Sequence, residues 1–382
     1  MQRDAATLSI LALNYEFPPI GGGGATAYQA LLRELTRAGS CRVVLITAGL
    51  KPKPEEDRIH ESLTIRRVPV GKKDLRYWHR SEVFRYYLCA YREAGRALER
   101  ESFDVCHAFF GIPSGLVAYR LRHFLPYVLS LRGSDVPGFS RRFSWDHRLL
   151  RPLVRRSWAA AAAVVANSER LRERAQRAFR DIAIDVIPNG IDTSEFRPQP
   201  HVPGSQPRLV TVARLIPRKG IDLLLKSLSG LISRSWHLMV IGDGPERSRL
   251  VALTTQMGLT NRVEFYGDLD RRQITQILPT CDLFILPSWA EGMSNAALEA
   301  MACGLPVVLT DTGGAYELIR GNGVVVPCGK VEALRAALDR LLATPDKWPA
   351  MSAKSRDIAE SLSWSAVADR YRSLLLKAAG KG

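Results

Sequence analysis

At 382 residues the chain is too long for one comfortable core, so two domains are expected. A hydrophobic share of 46% beside 24% charged residues describes a globular protein, and no apolar run approaches the roughly 20 residues that cross a bilayer. The net charge of +16 points to an anionic partner and is uneven, with 32 Lys and Arg against 21 Asp and Glu through Pro198.

The chain starts with one arginine and an apolar stretch broken by Asn14 and Glu16, which reads as a first strand, "LSILAL" (8–13), rather than a leader. Gly21 to Gly24 follow it. Further apolar, β-branched runs in this half are "RVVLIT" (42–47), "DVCHAF" (104–109), "PYVLSL" (126–131) and "AAVVAN" (162–167), separated by helical patterns. The stretch "EFRPQPHVPGSQPR" (195–208) is proline-rich and lacks apolar periodicity, as a linker does. The runs then resume as "RLVTVA" (208–213), "HLMVIG" (237–242), "RVEFYG" (262–267), "DLFILP" (282–287), "PVVLTD" (306–311) and "GVVVP" (323–327). Near-continuous apolar strands alternating with helices predict parallel sheets covered on both faces, in two doubly wound domains. Ligands in such folds sit at the carboxyl ends of strands, and the expected site is the cleft between the domains.

The loops at those strand ends carry the chemistry. Arg214 and Lys219 follow the first strand of the second half, a pair of cations suited to a diphosphate. "GDGPE" (242–246) lets backbone approach a ligand at Gly242, and "DTGGAYE" (311–317) repeats a glycine pair before a helix. "EGMSNAALE" (291–299) places Glu291 in a loop and Glu299 a turn inside a helix, with Ser294 or Asn295 as cap. The amides of Met293, Ser294 and Asn295 then form an anion-binding helix end. Each loop alone has an ordinary structural explanation; all of them following strands of one sheet does not.

In order, "VARLIPRKGIDLLLKSL", "VIGDGPE", "VEFYGDL" and "LPSWAEGMSNAALEAMACGLPVVLTDTGGAYELI" resemble the nucleotide-sugar half of retaining family 4 glycosyltransferases of GT-B fold (glycosyl transferases group 1). The Gly-rich loop, "FDVCHAFF", "SLRGSDV", "ANS" and "VIPNGID" match the other half, so the resemblance runs from about residue 8 to 375. It implies an α/β, GT-B architecture of two Rossmann-like domains facing a cleft: 1–195 for the acceptor, a linker at 196–207, 208–362 for the nucleotide sugar, and a last helix at 363–382 crossing back. By the same resemblance Arg214 and Lys219 hold the donor diphosphate, and Glu299 accepts from the ribose hydroxyls. Glu291 contacts the sugar below its anomeric carbon, while Met293, Ser294 and Asn295 offer amides to phosphate and sugar. Gly21 to Gly24, with Gly22 and Gly23 at the donor, let the first domain close over the phosphates. His107 sits near the transferred sugar as a hydrogen-bonding or electrostatic group. Retention is expected through same-face attack, the leaving phosphate helping to deprotonate the acceptor. No cofactor or metal is then required, and the sequence offers no obvious Asp and His cluster for one.

Two departures stand out. Where relatives carry a second histidine, as H-x-H, this chain has Phe109, and the loop often written H-G-S-D starts here with Arg132. Arg132 and Asp135 are candidate acceptor contacts. The spacing Gly22-x-Gly24-x-x-Ala27 fits a dinucleotide fingerprint. Pro18 and Pro19 intervene, however, and the second strand ends without an acid for the ribose, which argues against hydride transfer. An epimerase on the same fold, and a basic nucleic-acid binder, are the alternatives; no zinc spacing, helix-turn-helix or RNA-binding aromatic motif supports the second.

Two stretches mix bases with aromatics, 71–96 and 139–158, the latter with Trp145 and Trp158. Such segments suit an anionic bilayer surface, though helices packing their aromatics inward have the same composition. The expected partners are a UDP- or GDP-sugar donor, a glycan or lipid-linked acceptor of cell-surface polysaccharide or lipopolysaccharide assembly, and an anionic membrane surface. Nucleic acid is not expected. Six scattered cysteines without a C-x-x-C pair fit reduced thiols, so the expected location is cytoplasmic, peripheral on the inner membrane face.

Overall fold

The computed structural model describes residues 7–75, 77–138, 144–200 and 204–381, without the side chains of residues 38 and 144–148. Arg76, the 139–143 part of the second aromatic-basic stretch, the Trp145 side chain and residues 201–203 of the expected linker lie outside the described residues. The chain divides into two compact units, Met1–Gly190 with Trp364–Gly382, and Ile191–Ser363. The division thus falls before the proline-rich stretch, whose Phe196 is buried in the second unit's core. The last helix packs in the first unit.

In the first unit the order is β1 (Leu8–Leu13), α1 (Gly23–Thr36), β2 (Cys41–Gly49), β3 (Glu55–His60), β4 (Leu63–Pro69), α2 (Arg80–Arg100), β5 (Val105–Phe109) and α3 (Ser114–Leu121). It continues with β6 (Tyr127–Leu131), α4 (Ser144–Ala159), β7 (Ala163–Ala166), α5 (Glu169–Ala178) and β8 (Asp185–Val186). The second unit runs β9 (Arg208–Val212), α6 (Ile221–Ser229), β10 (His237–Ile241), α7 (Arg247–Gln256), β11 (Val263–Gly267), α8 (Arg271–Ile277), β12 (Leu283–Leu286) and α9 (Asn295–Ala302). After these come β13 (Val307–Thr310), α10 (Ala315–Leu318), β14 (Gly323–Val326), α11 (Val331–Ala343) and α12 (Trp348–Ser361), and then α13 (Trp364–Ala378) of the first unit.

Among the described residues the sheets have the orders β3-β4-β2-β1-β5-β6-β7-β8 and β11-β10-β9-β12-β13-β14. The second is parallel throughout, with β9, β12 and β13 buried on both faces, as continuous β-branched runs require. The first departs from the all-parallel expectation at one edge, where β3 runs antiparallel to β4. β3 is charged and mostly exposed, and it accompanies a buried Arg66 that meets Glu56 at 2.8 Å and Glu101 at 2.6 Å. An edge strand covered with charge resists pairing with other chains.

Each order contains one point where successive crossovers turn opposite ways: between β1 and β5, and between β9 and β12. Loops leaving two such neighbours diverge, and the crevice between them is where doubly wound sheets bind ligands.

Candidate active site

At the second switch point, the loop after β9 carries Arg214, Arg218 and Lys219, and the loop after β12 carries Glu291. Lys219 Nζ donates to Glu291 Oε1 at 2.5 Å, Ser288 Oγ donates to the same oxygen at 2.7 Å, and Arg218 lies 3.9 Å from Oε2. Burial alone would raise the Glu291 carboxyl, but the Lys219 and Arg218 cations outweigh it and hold the group below the usual carboxylate range. Hydrogen bonds fix the two loops together, Trp289 N donating to Arg218 O at 2.8 Å and the Arg218 guanidinium to Ala290 O at 2.7 Å. Gly220 makes this approach possible: its φ is +65°, and a Cβ there would fall 2.2 Å from Pro287 O. The loop after β13 closes the far side through Gly314 N, which donates to Gly292 O at 2.7 Å.

Arg214 is exposed two residues beyond β9. Its neighbours are laced to the loop after β10, Ala213 N donating to Ile241 O at 3.0 Å and Leu215 N to Asp243 O at 2.9 Å. Gly242, at φ +125°, is needed there, since a Cβ would meet Ala213 O at 2.0 Å. Ser294 caps α9, its hydroxyl accepting from Ala297 N at 3.2 Å, so Met293 and Ser294 precede the helix and Asn295 begins it. Glu299 lies one turn further on. Its carboxyl is 3.6 Å from Arg271, which also grips Glu195 with Nε at 2.7 and 2.8 Å from its two oxygens. Burial pushes Glu299 up to about 7; Arg271 opposes the shift and Glu195 adds to it.

Lys219, Glu291 and the α9 terminus are therefore brought together, with Arg214 and Gly242 at the adjoining strand ends. Fixed cations beside a helix N-terminus can hold a diphosphate, while a buried ionised carboxylate beside them can face developing positive charge. Three participants escaped the sequence reading. Arg218 was signalled by "PRKG"; Arg271 and Glu195, 76 residues apart, carry no local signal at all.

The first unit holds the remaining candidates differently. Gly22 and Gly23 are exposed at the start of α1, beside Gly21, whose N–H donates to Leu75 O at 2.8 Å. His107 lies inside the core of its unit. Its ring is fully buried, with Nδ1 3.2 Å from Tyr28 Oη and Nε2 2.9 Å from Ser130 Oγ, which in turn donates to Tyr371 Oη at 3.2 Å. Burial, helped by the Arg132 cation, pushes it down to about 3, so it stays neutral and ties β5 to α1, β6 and α13. Both ring nitrogens thus have partners within the first unit. Asp135 is likewise occupied, accepting from the N–H groups of Gly111 at 2.7 Å, Arg132 at 2.9 Å and Gly133 at 2.8 Å. It pins two loops together. Arg132 donates to Asn189 Oδ1 and lies 4.3 Å over the Phe109 ring, the position where H-x-H would place a second histidine.

The aromatic-basic stretches divide. Trp78, Tyr86 and Trp158 are core residues, whereas Tyr77, Phe84, Leu149 and Leu153 face outward. No helix among the described residues is long and apolar enough to cross a membrane.

Residues 192–358 match the family model for glycosyl transferases group 1, and residues 21–195 match that for glycosyltransferase family 4. An uncharacterised glycosyltransferase of Methanocaldococcus jannaschii is 26% identical over 94% of this chain and 96% of its own length. A putative teichuronic acid biosynthesis glycosyltransferase of Bacillus subtilis is 32% identical over 62% of this chain and 61% of its own. A GDP-mannose-dependent phosphatidylinositol monomannoside mannosyltransferase of Mycolicibacterium smegmatis is 31% identical over 59% and 65%. For these last two, the match spans less than two thirds of the relative. Among solved structures, sucrose-phosphate synthase of Thermosynechococcus elongatus superposes with a TM-score of 0.84 at 22% identity, covering 98% of this chain and all of that one. HepE of Anabaena, in complex with UDP and glucose, gives 0.73 at 20% identity over 97% and 100%. These two share the GT-B fold.

Proposed function

Because the chain belongs to glycosyltransferase family 4, with a group 1 second half, we propose that it moves a hexose or N-acetylhexosamine from a nucleoside-diphosphate sugar to a glycan or lipid-linked acceptor, with retention. The observation that carries this reading is the Lys219–Glu291 pair at the β9/β12 switch point, set against the α9 N-terminus. In it, Arg214 and Lys219 take the diphosphate and Gly242 admits it closely. The amides at Met293, Ser294 and Asn295 complete the anion site, and Glu299 accepts from the ribose.

The bond from anomeric carbon to diphosphate breaks toward these cations, which stabilise the charge that builds on the leaving oxygen. The acceptor hydroxyl attacks from the same face, and its proton passes to the departing phosphate. Glu291, ionised and held by Lys219 and Ser288, faces the positive charge developing at the anomeric carbon. Gly22 and Gly23 lie at the start of α1, where a helix end also favours phosphate. His107 and Asp135 act as positioning residues in this scheme.

The donor base and sugar are read from a thermal-shift panel of UDP- and GDP-sugars, since a ligand at 100 times its Kd adds about 2.7 kcal/mol. Release of nucleotide that depends on added acceptor marks transfer, whereas release of an altered sugar nucleotide without acceptor marks an epimerase. Glu291→Gln is expected to lower kcat by far more than it weakens donor affinity, because the interaction strengthens in the transition state. A fall in turnover under about threefold would reduce Glu291 to a bystander.

A further inference from the structure

A cavity of about 390 Å³ opens inside the first unit, and its walls are overwhelmingly apolar. Val83, Phe84 and Tyr87 of α2 form one side and Leu150 and Leu153 of α4 the other, with Ile112 and Leu116 as floor. The floor belongs to α3 and the turn before it, and α3 packs against both α2 and α4. These flanking helices leave apolar side chains in the open, Phe84 at 61% and Leu153 at 37% exposure, with Leu149 beside them at 82%. Contiguous exposed apolar surface of this kind marks a binding site.

The groove is not apolar along its whole length. One end is formed by Tyr15, Ser134 and Asp135, which lie just beyond the carboxyl ends of β1 and β6, and Arg80 stands in its wall. That end lies beside the β1/β5 switch point of the first sheet, where a polar ligand group is expected. Both flanking helices are basic: α2 carries five arginines against three glutamates, and α4 four arginines against one aspartate. A polar end at the strand termini, an apolar trough leading away from it and the Arg80 cation in its wall, between two helices of net positive charge, together fit an amphiphile with an anionic head.

We propose that this groove takes the hydrocarbon chain of a phosphate-bearing lipid acceptor, singly and out of the bilayer, with its head at the β1/β6 end. The proposal rests on the transferase reading above and names the acceptor's class. Burying a single alkyl chain against these side chains supplies the driving force, and Arg80 selects the headgroup.

Calorimetry on the full chain tests it with monomeric dodecyl phosphate, dodecyltrimethylammonium, inorganic phosphate and phosphatidylglycerol vesicles as probes. Dodecyl phosphate is expected to bind with a negative heat-capacity change, at least about tenfold more tightly than the cationic amphiphile, and inorganic phosphate alone only weakly. Phe84→Glu and Leu153→Glu, both at exposed positions, are each expected to weaken it by about tenfold or more while sugar-nucleotide affinity stays unchanged. Equal capture of both amphiphiles, indifference to both substitutions, or binding to vesicles without binding of the monomer would overturn the proposal. Sugar-nucleotide binding without amphiphile capture would overturn the groove alone. Amphiphile capture with no sugar nucleotide bound would unseat the transferase reading and the acceptor assignment with it.

Discussion

Glu299 sits in a conflict that its pH behaviour should expose. Its carboxyl is held up to about 7 by burial, against the Arg271 cation 3.6 Å away, while the same group in an unfolded chain titrates near 4.5. Between those values the folded protein keeps a proton that the unfolded chain has lost, so stability falls as pH rises through that window, by the order of 3 kcal/mol at most. Donor affinity should move the opposite way, since only the ionised carboxylate offers both oxygens to the ribose hydroxyls. Thermal midpoints and nucleotide Kd measured from pH 5 to 8 are expected to show both slopes in the native chain and neither in Glu299→Gln; slopes of equal size in the variant would assign the titration elsewhere. The two acids of "EGMSNAALE" thus differ by environment alone, one kept ionised by Lys219 and Arg218 and one raised by burial against the opposing Arg271. Their spacing and the Arg214 and Lys219 signals could be read along the chain. The pairing of Arg271 with Glu195 could not, because only folding brings residues 76 apart together. The partners of His107 were illegible for the same reason: a histidine at a strand end looks alike whether its nitrogens meet a substrate or meet Tyr28 and Ser130.

The element scale rests on how closely the β9 and β12 loops approach. Gly220 begins α6 in a left-handed conformation with Pro287 O where its Cβ would be, 2.2 Å away. Gly258 has nearly the same φ, +69°, but open space around it. Gly258→Ala should therefore show the left-handed penalty alone, roughly 1–2 kcal/mol, while Gly220→Ala adds displacement of the loop bearing Lys219. The expected result is a larger loss of thermal stability in Gly220→Ala and a weaker nucleotide Kd there only. Equal losses and unchanged Kd values in both would mean that the approach of the loops does not set the site. All six strands of this sheet are apolar runs visible in the sequence, most fully where burial on both faces leaves little else, as in β9, β12 and β13. In the first sheet β3 and β4 escaped detection, since "EEDRIH" and the Arg66–Arg67 pair read as polar surface. Arg66 is nevertheless buried, its charge met by Glu56 and by Glu101 from far along the chain.

At the scale of the whole molecule, the +16 charge has yet to be assigned, and its excess before Pro198 places the question in the first unit. Lys72 is not available to a surface: its ammonium is enclosed, 3.0 Å from Glu82 and 4.3 Å over the Trp78 ring. Along α2, Arg80, Arg85, Arg92 and Arg96 are exposed, and Phe84 stands out among them. A basic helix with an outward aromatic is suited to peripheral attachment at anionic lipid, each base near the surface contributing about 1 kcal/mol within a Debye length. Sedimentation with liposomes is expected to require anionic lipid and to fall steeply as salt rises past physiological strength. Replacing the four arginines with serine should abolish most of that binding and leave nucleotide affinity, proposed for the second unit, intact. Equal sedimentation with neutral and anionic vesicles would exclude electrostatic attachment. Absence of sedimentation with either would direct the charge to a soluble anionic acceptor, whose turnover should then fall in the same four-arginine variant.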